Sequence, residues 1–203
     1  SWLQRLEAEY ANLQAALAWS LRIDATVESG DHKLGLQLAG ALSWFWHIRA
    51  RYSEARRWYD RALTCSEEAT GSAIQARALQ GAGVAAQMEG DFAHARRCLA
   101  ESLSLWQTLE NHWGIAYTQT WLALAHYVPG DLATARPLAE ASVALFRQLD
   151  DSWGIALALN ALGPIVRVMG DHATARLLLE ESVLRFRLLG DAFGDADSLN
   201  ELI

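Results

Sequence analysis

Apolar, small and polar positions return along this chain at a fixed offset of 40 residues, most densely over residues 73–203. Trp106, Phe146 and Phe186 align, as do Leu109, Leu149 and Leu189, and Ser102, Ser142 and Ser182. Trp113-Gly114 becomes Trp153-Gly154 and then Phe193-Gly194. The phrase "GDFAHAR" at 90–96 returns as "GDLATAR" at 130–136 and "GDHATAR" at 170–176. Self-similarity at such a period marks a stacked array whose units cannot bury their apolar faces alone. Towards the start the register weakens. Tyr52 and Ala55-Arg56 keep their places, but Ala50-Arg51 stands where Gly-Asp is expected. Ala15 and Trp19 align in turn with Ala55 and Tyr59.

Each unit reads as two helices. Gly90, Gly130 and Gly170 end the first, because glycine takes the left-handed cap conformation cheaply. Asp91, Asp131 and Asp171 cap the second, their carboxylates accepting free N–H groups. Ala95, Ala135 and Ala175 are small enough to let two helices approach. The serines at 102, 142 and 182 lie seven residues on, on nearly the same face. Trp113, Trp153 and Phe193 open the following units and are expected to wedge them against their neighbours, with Trp153 largely buried. Pro164 and Pro137 fall inside helices, where each bends the axis or is a tolerated irregularity. The expected organisation is a single all-α repeat domain over 1–203 with roughly ten helices. It divides into a leading helix and loop (1–31), repeats at 32–71, 72–111, 112–151 and 152–191, and a truncated final helix at 192–203.

Composition narrows the setting. Apolar residues make up 52% of the 203, which argues against disorder. No run approaches the roughly 18 apolar residues of a membrane span. The net charge of −7 argues against direct nucleic-acid binding. Two cysteines, Cys65 and Cys98, form neither a disulfide framework nor a zinc motif, so a reduced, cytoplasmic setting is expected. The chain begins at Ser1 and stops at Ile203 inside what reads as a new helix, and is read as a fragment of a longer protein.

The unit resembles the tetratricopeptide repeat. "ALGPIVRVMGDHATARLLLEESV" at 161–183 carries Leu162-Gly163, Gly170-Asp171 and Ala175 where that pattern has them, and "GAGVAAQMEGDFAHA" does so with Gly83, Gly90 and Ala95. The period is longer than the usual 34, the proline after the second helix is missing, and serine replaces an alanine at 102, 142 and 182. The resemblance implies a right-handed superhelical solenoid with first helices lining its concave side. "RLEAEYANLQAALAWSL" at 5–21 and "GLQLAGALSWFWHIRARYSEARRWYDRAL" at 35–63 are similar to the start of the repeat region in large bacterial regulators of the LuxR and AfsR types, which carry a nucleotide-switch ATPase core. That similarity implies a non-catalytic regulatory module that binds an effector or partner protein and contacts other domains of its parent. A free-standing peptide receptor or adaptor is the alternative, and an enzyme a third.

Catalytic signatures are absent. Lys33 is the only lysine, and Leu34 follows it, so no phosphate loop is present and no cofactor is expected. There is no nucleophile elbow and no H-E-x-x-H helix. His94 and Cys98 share a helix face but fall short of the three or four ligands zinc needs. The carboxylates Glu67-Glu68, Asp150-Asp151 and Glu180-Glu181 read as solvated. Arg56, Arg96, Arg136 and Arg176 form a ladder that either binds an anion or makes local ion pairs.

A ligand is expected on the first helices. One row runs Gly40, Gln80, Thr120, Asn160, and another His47, Gln87, Tyr127, Arg167, seven residues further on and on the same face. Trp44, Arg77, Tyr117 and Trp121 fall beside them; Trp44 and Trp121 are either groove or core. Aromatics with amides and arginine suit a peptide, a protein segment or a small effector.

Overall fold

The computed structural model describes residues 2–22, 29–65 and 71–202. The Glu67-Glu68 pair, most of the predicted leading loop and Ile203 lie outside the described residues. Every regular element described is a helix: α1 (Trp2–Ser20), α2 (Ser29–Ile48), α3 (Tyr52–Cys65), α4 (Ala73–Met88), α5 (Phe92–Thr108), α6 (His112–Tyr127), α7 (Leu132–Gln148), α8 (Ser152–Val168), α9 (His172–Leu189) and α10 (Ala192–Leu202). Two compact units divide the chain, residues 1–105 and 106–203.

The turns form as the "GD" phrase requires. Gly90, Gly130 and Gly170 hold φ of 82°, 94° and 94°. The next carboxylate accepts from the N–H three residues on, at 3.1 Å for Asp91–His94, 3.2 Å for Asp131–Thr134 and 3.0 Å for Asp171–Thr174. The three carboxyls are held below the usual carboxylate range, Asp91 by that N–H and then Arg56, Asp131 by the Thr134 hydroxyl, then that N–H and His126, and Asp171 by the Thr174 hydroxyl and then that N–H. Ala50, Glu110 and Asp150 take the same left-handed corner without being glycine. Each carries a Cβ strain there.

In the first unit, Tyr10, Phe45, Trp46 and Tyr59 form the core between α1, α2 and α3. The Trp46 indole donates to the Tyr10 hydroxyl at 2.6 Å, and the Arg51 guanidinium lies 4.4 Å from the Tyr10 ring centre. Gly83 of α4 meets Leu99 of α5 so closely that an added methyl would lie 2.6 Å from the leucine. Gly163 and Leu179 repeat that contact in the second unit. At the intermediate position the pair is Ala123 and Ala139, both fully buried. Size lost on one helix is recovered on the other, as close packing demands.

In the second unit, α6 packs on α8 and α8 on α10, with α7 and α9 set between successive members of that row. The ring that ends each second helix lies on the glycine that opens the next first helix. A methyl added at Gly114 would fall 2.5 Å from Trp106, one at Gly194 2.5 Å from Phe186, and one at Gly154 inside contact with Phe146. The serines are fully buried hydrogen-bond donors. Ser102 donates to the Ala76 carbonyl at 2.7 Å, Ser142 to Ala116 at 2.7 Å and Ser182 to Ala156 at 2.8 Å. Each ties a second helix to its own first helix, which alanine cannot do.

The expected wedge residues behave differently. Trp113 and Phe193 are exposed and Trp153 is half-buried, because the adjacent glycine occupies the close contact and turns the ring to the rim. Gly154→Ala is expected to cost about 1–3 kcal/mol through overpacking, and Ser142→Ala about 1 kcal/mol through loss of the buried hydroxyl's bonds to the Ala116 carbonyl and Thr120. Urea unfolding measures both; wild-type stability in either variant contradicts the packing described.

Candidate functional site

The first-helix faces carry the candidate residues, and each unit presents its own set. In the first unit Trp44 and His47 are half-buried and stack on each other, ring centres 5.4 Å apart at 17°. Arg77 is exposed, and its aliphatic stem crosses Gly40, the one position in that row without a side chain. Gln80 is buried. Gln87 is half-buried, with its side-chain carbonyl oxygen enclosed and without a hydrogen-bond partner.

In the second unit the face is aromatic. Trp113 and Tyr117 stack at 5.1 Å and 18°, and Tyr117 and Trp153 at 6.2 Å and 12°. Trp121 lies 6.2 Å from Tyr117 but is only 6% exposed, which makes it core. The run Trp113, Tyr117, Trp121 follows from spacing i, i+4, i+8 on α6, and Trp153 joins it from the N-terminal turn of α8. Helix caps fix the two outer tryptophans. Asp151 accepts from the Gly154 N–H with one oxygen at 2.8 Å and from the Trp113 indole with the other at 2.7 Å. Asp191 does the same for Gly194 at 3.1 Å and Trp153 at 3.0 Å. Trp113 still leaves 40% of its surface to solvent. Burial pushes the Tyr117 phenol up to about 12.

Other predicted members are already engaged. Thr120 is fully buried and bonds to Ser142 at 2.7 Å and the Ala116 carbonyl at 3.2 Å, so it serves packing. Tyr127 is half-buried against the core of the second unit. The Asn160 amide donates to Asp197 at 2.6 Å. Arg167 donates to the Glu201 carbonyl at 2.6 Å and its carboxylate at 3.0 Å. Asp197 and Glu201 were not among the expected site residues. The repeat register was the signal for them, since two periods separate them from Tyr117 and Trp121 on the first-helix face.

The arginine ladder makes local ion pairs. Arg56 meets Asp91 at 2.6 Å, Glu89 at 3.3 Å and Asp60 at 3.9 Å, while Arg136–Glu140 and Arg176–Glu180 pair at 2.7 Å within their helices. His94 lies 3.2 Å from Cys98, and burial pushes that thiol up to about 11. No group of three or more metal-ligating side chains occurs among the described residues. Among them, too, no helix is long and apolar enough to cross a membrane.

Comparison with known proteins agrees with the helical fold. Residues 36–73 match the tetratricopeptide repeat family. BtubC (BKLC) from P. vanneervenii superposes with a TM-score of 0.68 at 18% identity, over 94% of this chain and 75% of its own. A Podosopora anserina protein described as a putative kinesin light chain with nearly identical TPR-like repeats superposes at 0.62 and 17% identity, over 82% of this chain and 83% of its own. A point variant of that protein gives 0.64 at 17% identity, over 84% of each chain. No curated protein matches. The fold is therefore an all-helical array of tetratricopeptide-like repeats.

Alkaline titration tests the aromatic face. Of the five tyrosines, Tyr117 and Tyr10 have folded-state values raised to about 12 by burial. The unfolded value is about 10. Their contribution to stability is full below about pH 10 and is lost as pH rises towards about 12. Phenolate absorbance is expected to show late-titrating tyrosines, Tyr10 and Tyr117 among them, and replacing Tyr117 by phenylalanine should remove one of these. Ionisation of all five near pH 10 contradicts the burial.

Proposed function

We propose that this chain is a non-catalytic, partner-binding repeat domain of a larger bacterial signalling regulator of the LuxR or AfsR type. The repeat fold supports the general role, since such repeats bind protein segments. The parent is argued from the sequence similarity of 5–21 and 35–63. In such a parent the domain binds a peptide, a protein segment or a small effector, contacts the remaining domains and works in the cytoplasm.

The observation that carries the binding role is the Trp113–Tyr117–Trp153 stack. Ring faces held in register by Asp151 and Asp191 form a rigid amphipathic surface with little rotamer entropy to lose on binding. In the first unit the corresponding candidates are Trp44, His47, Arg77, Gln80 and Gln87. In the second they are the stack itself with Tyr127, Asn160 and Arg167. An anionic partner at Arg167 has to displace Glu201, and one at Asn160 meets Asp197. Residues 106–203 hold 12 acidic against 6 basic residues, which favours a basic or amphipathic segment on that unit.

A peptide-display selection against the chain tests this. Enriched peptides are expected to combine apolar and basic residues. Trp113→Ala should weaken them about tenfold or more, about 1.4 kcal/mol, while the variant keeps its helix content by circular dichroism. Peptides that bind the variant as tightly as the parent chain place the partner elsewhere.

A further inference from the structure

Three leucines on α9 face solvent without an evident task. Leu177, Leu184 and Leu188 are 66%, 58% and 79% exposed. Their spacing of seven and four places them on one stripe. The stripe lies opposite the buried face formed by Ala175, Leu179, Ser182, Val183 and Phe186. The repeat register shows that this is not a property of the repeat. The equivalent exposed positions are Arg97, Ser104 and Thr108 on α5, and Pro137, Ala144 and Gln148 on α7. Polar or smaller residues give way to leucine at the same three places.

The charges beside the stripe select its occupant. Glu180 and Arg187 lie along one side of it, Glu181 and Arg185 along the other. Set antiparallel to an identical helix, with the centre level with residues 182–184, Leu177 meets Leu188 of the copy. In the same register Glu180 faces Arg187 and Glu181 faces Arg185, each twice, in addition to the exposed pairs these side chains make within the chain with Arg176, Asp195 and each other. One register therefore satisfies the leucines and both charged edges to within about one residue, as a two-fold interface requires. A parallel arrangement places like charges together at 180 and at 187.

We propose that α9 is a homodimerisation surface, pairing antiparallel with α9 of a second copy of this chain. One helix pair is a small interface, so the dimer forms at micromolar concentration rather than below it. Light scattering coupled to size exclusion, run from low to high micromolar concentration, tests it. Conversion from monomer to dimer is expected. Leu184→Glu should raise the dissociation constant about tenfold or more and leave thermal unfolding of the dilute monomer unchanged. Glu180→Arg and Arg187→Glu should each weaken the dimer, and the chain carrying both should recover it. A monomer throughout overturns the proposal, as does a dimer indifferent to Leu184→Glu. Loss of the dimer in the charge-swapped double variant overturns the antiparallel register.

Discussion

An aromatic ring seated on a residue without a side chain is the contact on which the second unit depends. Trp106 on Gly114, Phe146 on Gly154 and Phe186 on Gly194 bring the end of each second helix against the start of the next first helix. Neither partner can change alone: a methyl on the glycine enters the ring, and a smaller ring leaves a cavity. The contact also decides what the neighbouring residue does. With glycine taking the buried place, Trp113 and Trp153 are carried to the rim, where the caps Asp151 and Asp191 hold their indoles. Close packing and an exposed aromatic face thus come from one dipeptide.

A second constraint closes each helix pair from within. The buried hydroxyls of Ser102, Ser142 and Ser182 satisfy a first-helix carbonyl 26 residues back. Such a bond is directional where alanine packing is not, and it fixes the rotation of one helix about the other. The first-helix face consequently presents the same register positions in each unit. Gly83–Leu99 and Gly163–Leu179 do the same by shape.

Much of this was legible in the sequence, because the period multiplies every local signal. Glycine and aspartate at the turns, small residues at close approaches and the helix count all follow from residue chemistry. Serine was legible as a small residue; its hydrogen bond was not, since that needs the depth of the position. The tryptophans were misplaced because apolar character was taken as burial, whereas the glycine beside them holds the inner place. On the candidate face, the register identified rows but not coverage. Thr120 turned inward to Ser142, and Asn160 and Arg167 met Asp197 and Glu201 from α10. Which member of a row stays open depends on the following helix, and no single repeat records that.

The claim that ring and glycine act as one unit is tested most directly by a double-mutant cycle at 146 and 154. Phe146→Leu removes ring atoms from the place where the methyl of Gly154→Ala must go. Unfolding free energies of the two single variants, the double variant and the parent chain give the coupling. The account predicts a double variant more stable than the sum of the single losses implies, by about 1 kcal/mol or more. Additive losses would show that the two positions are independent, and would contradict it.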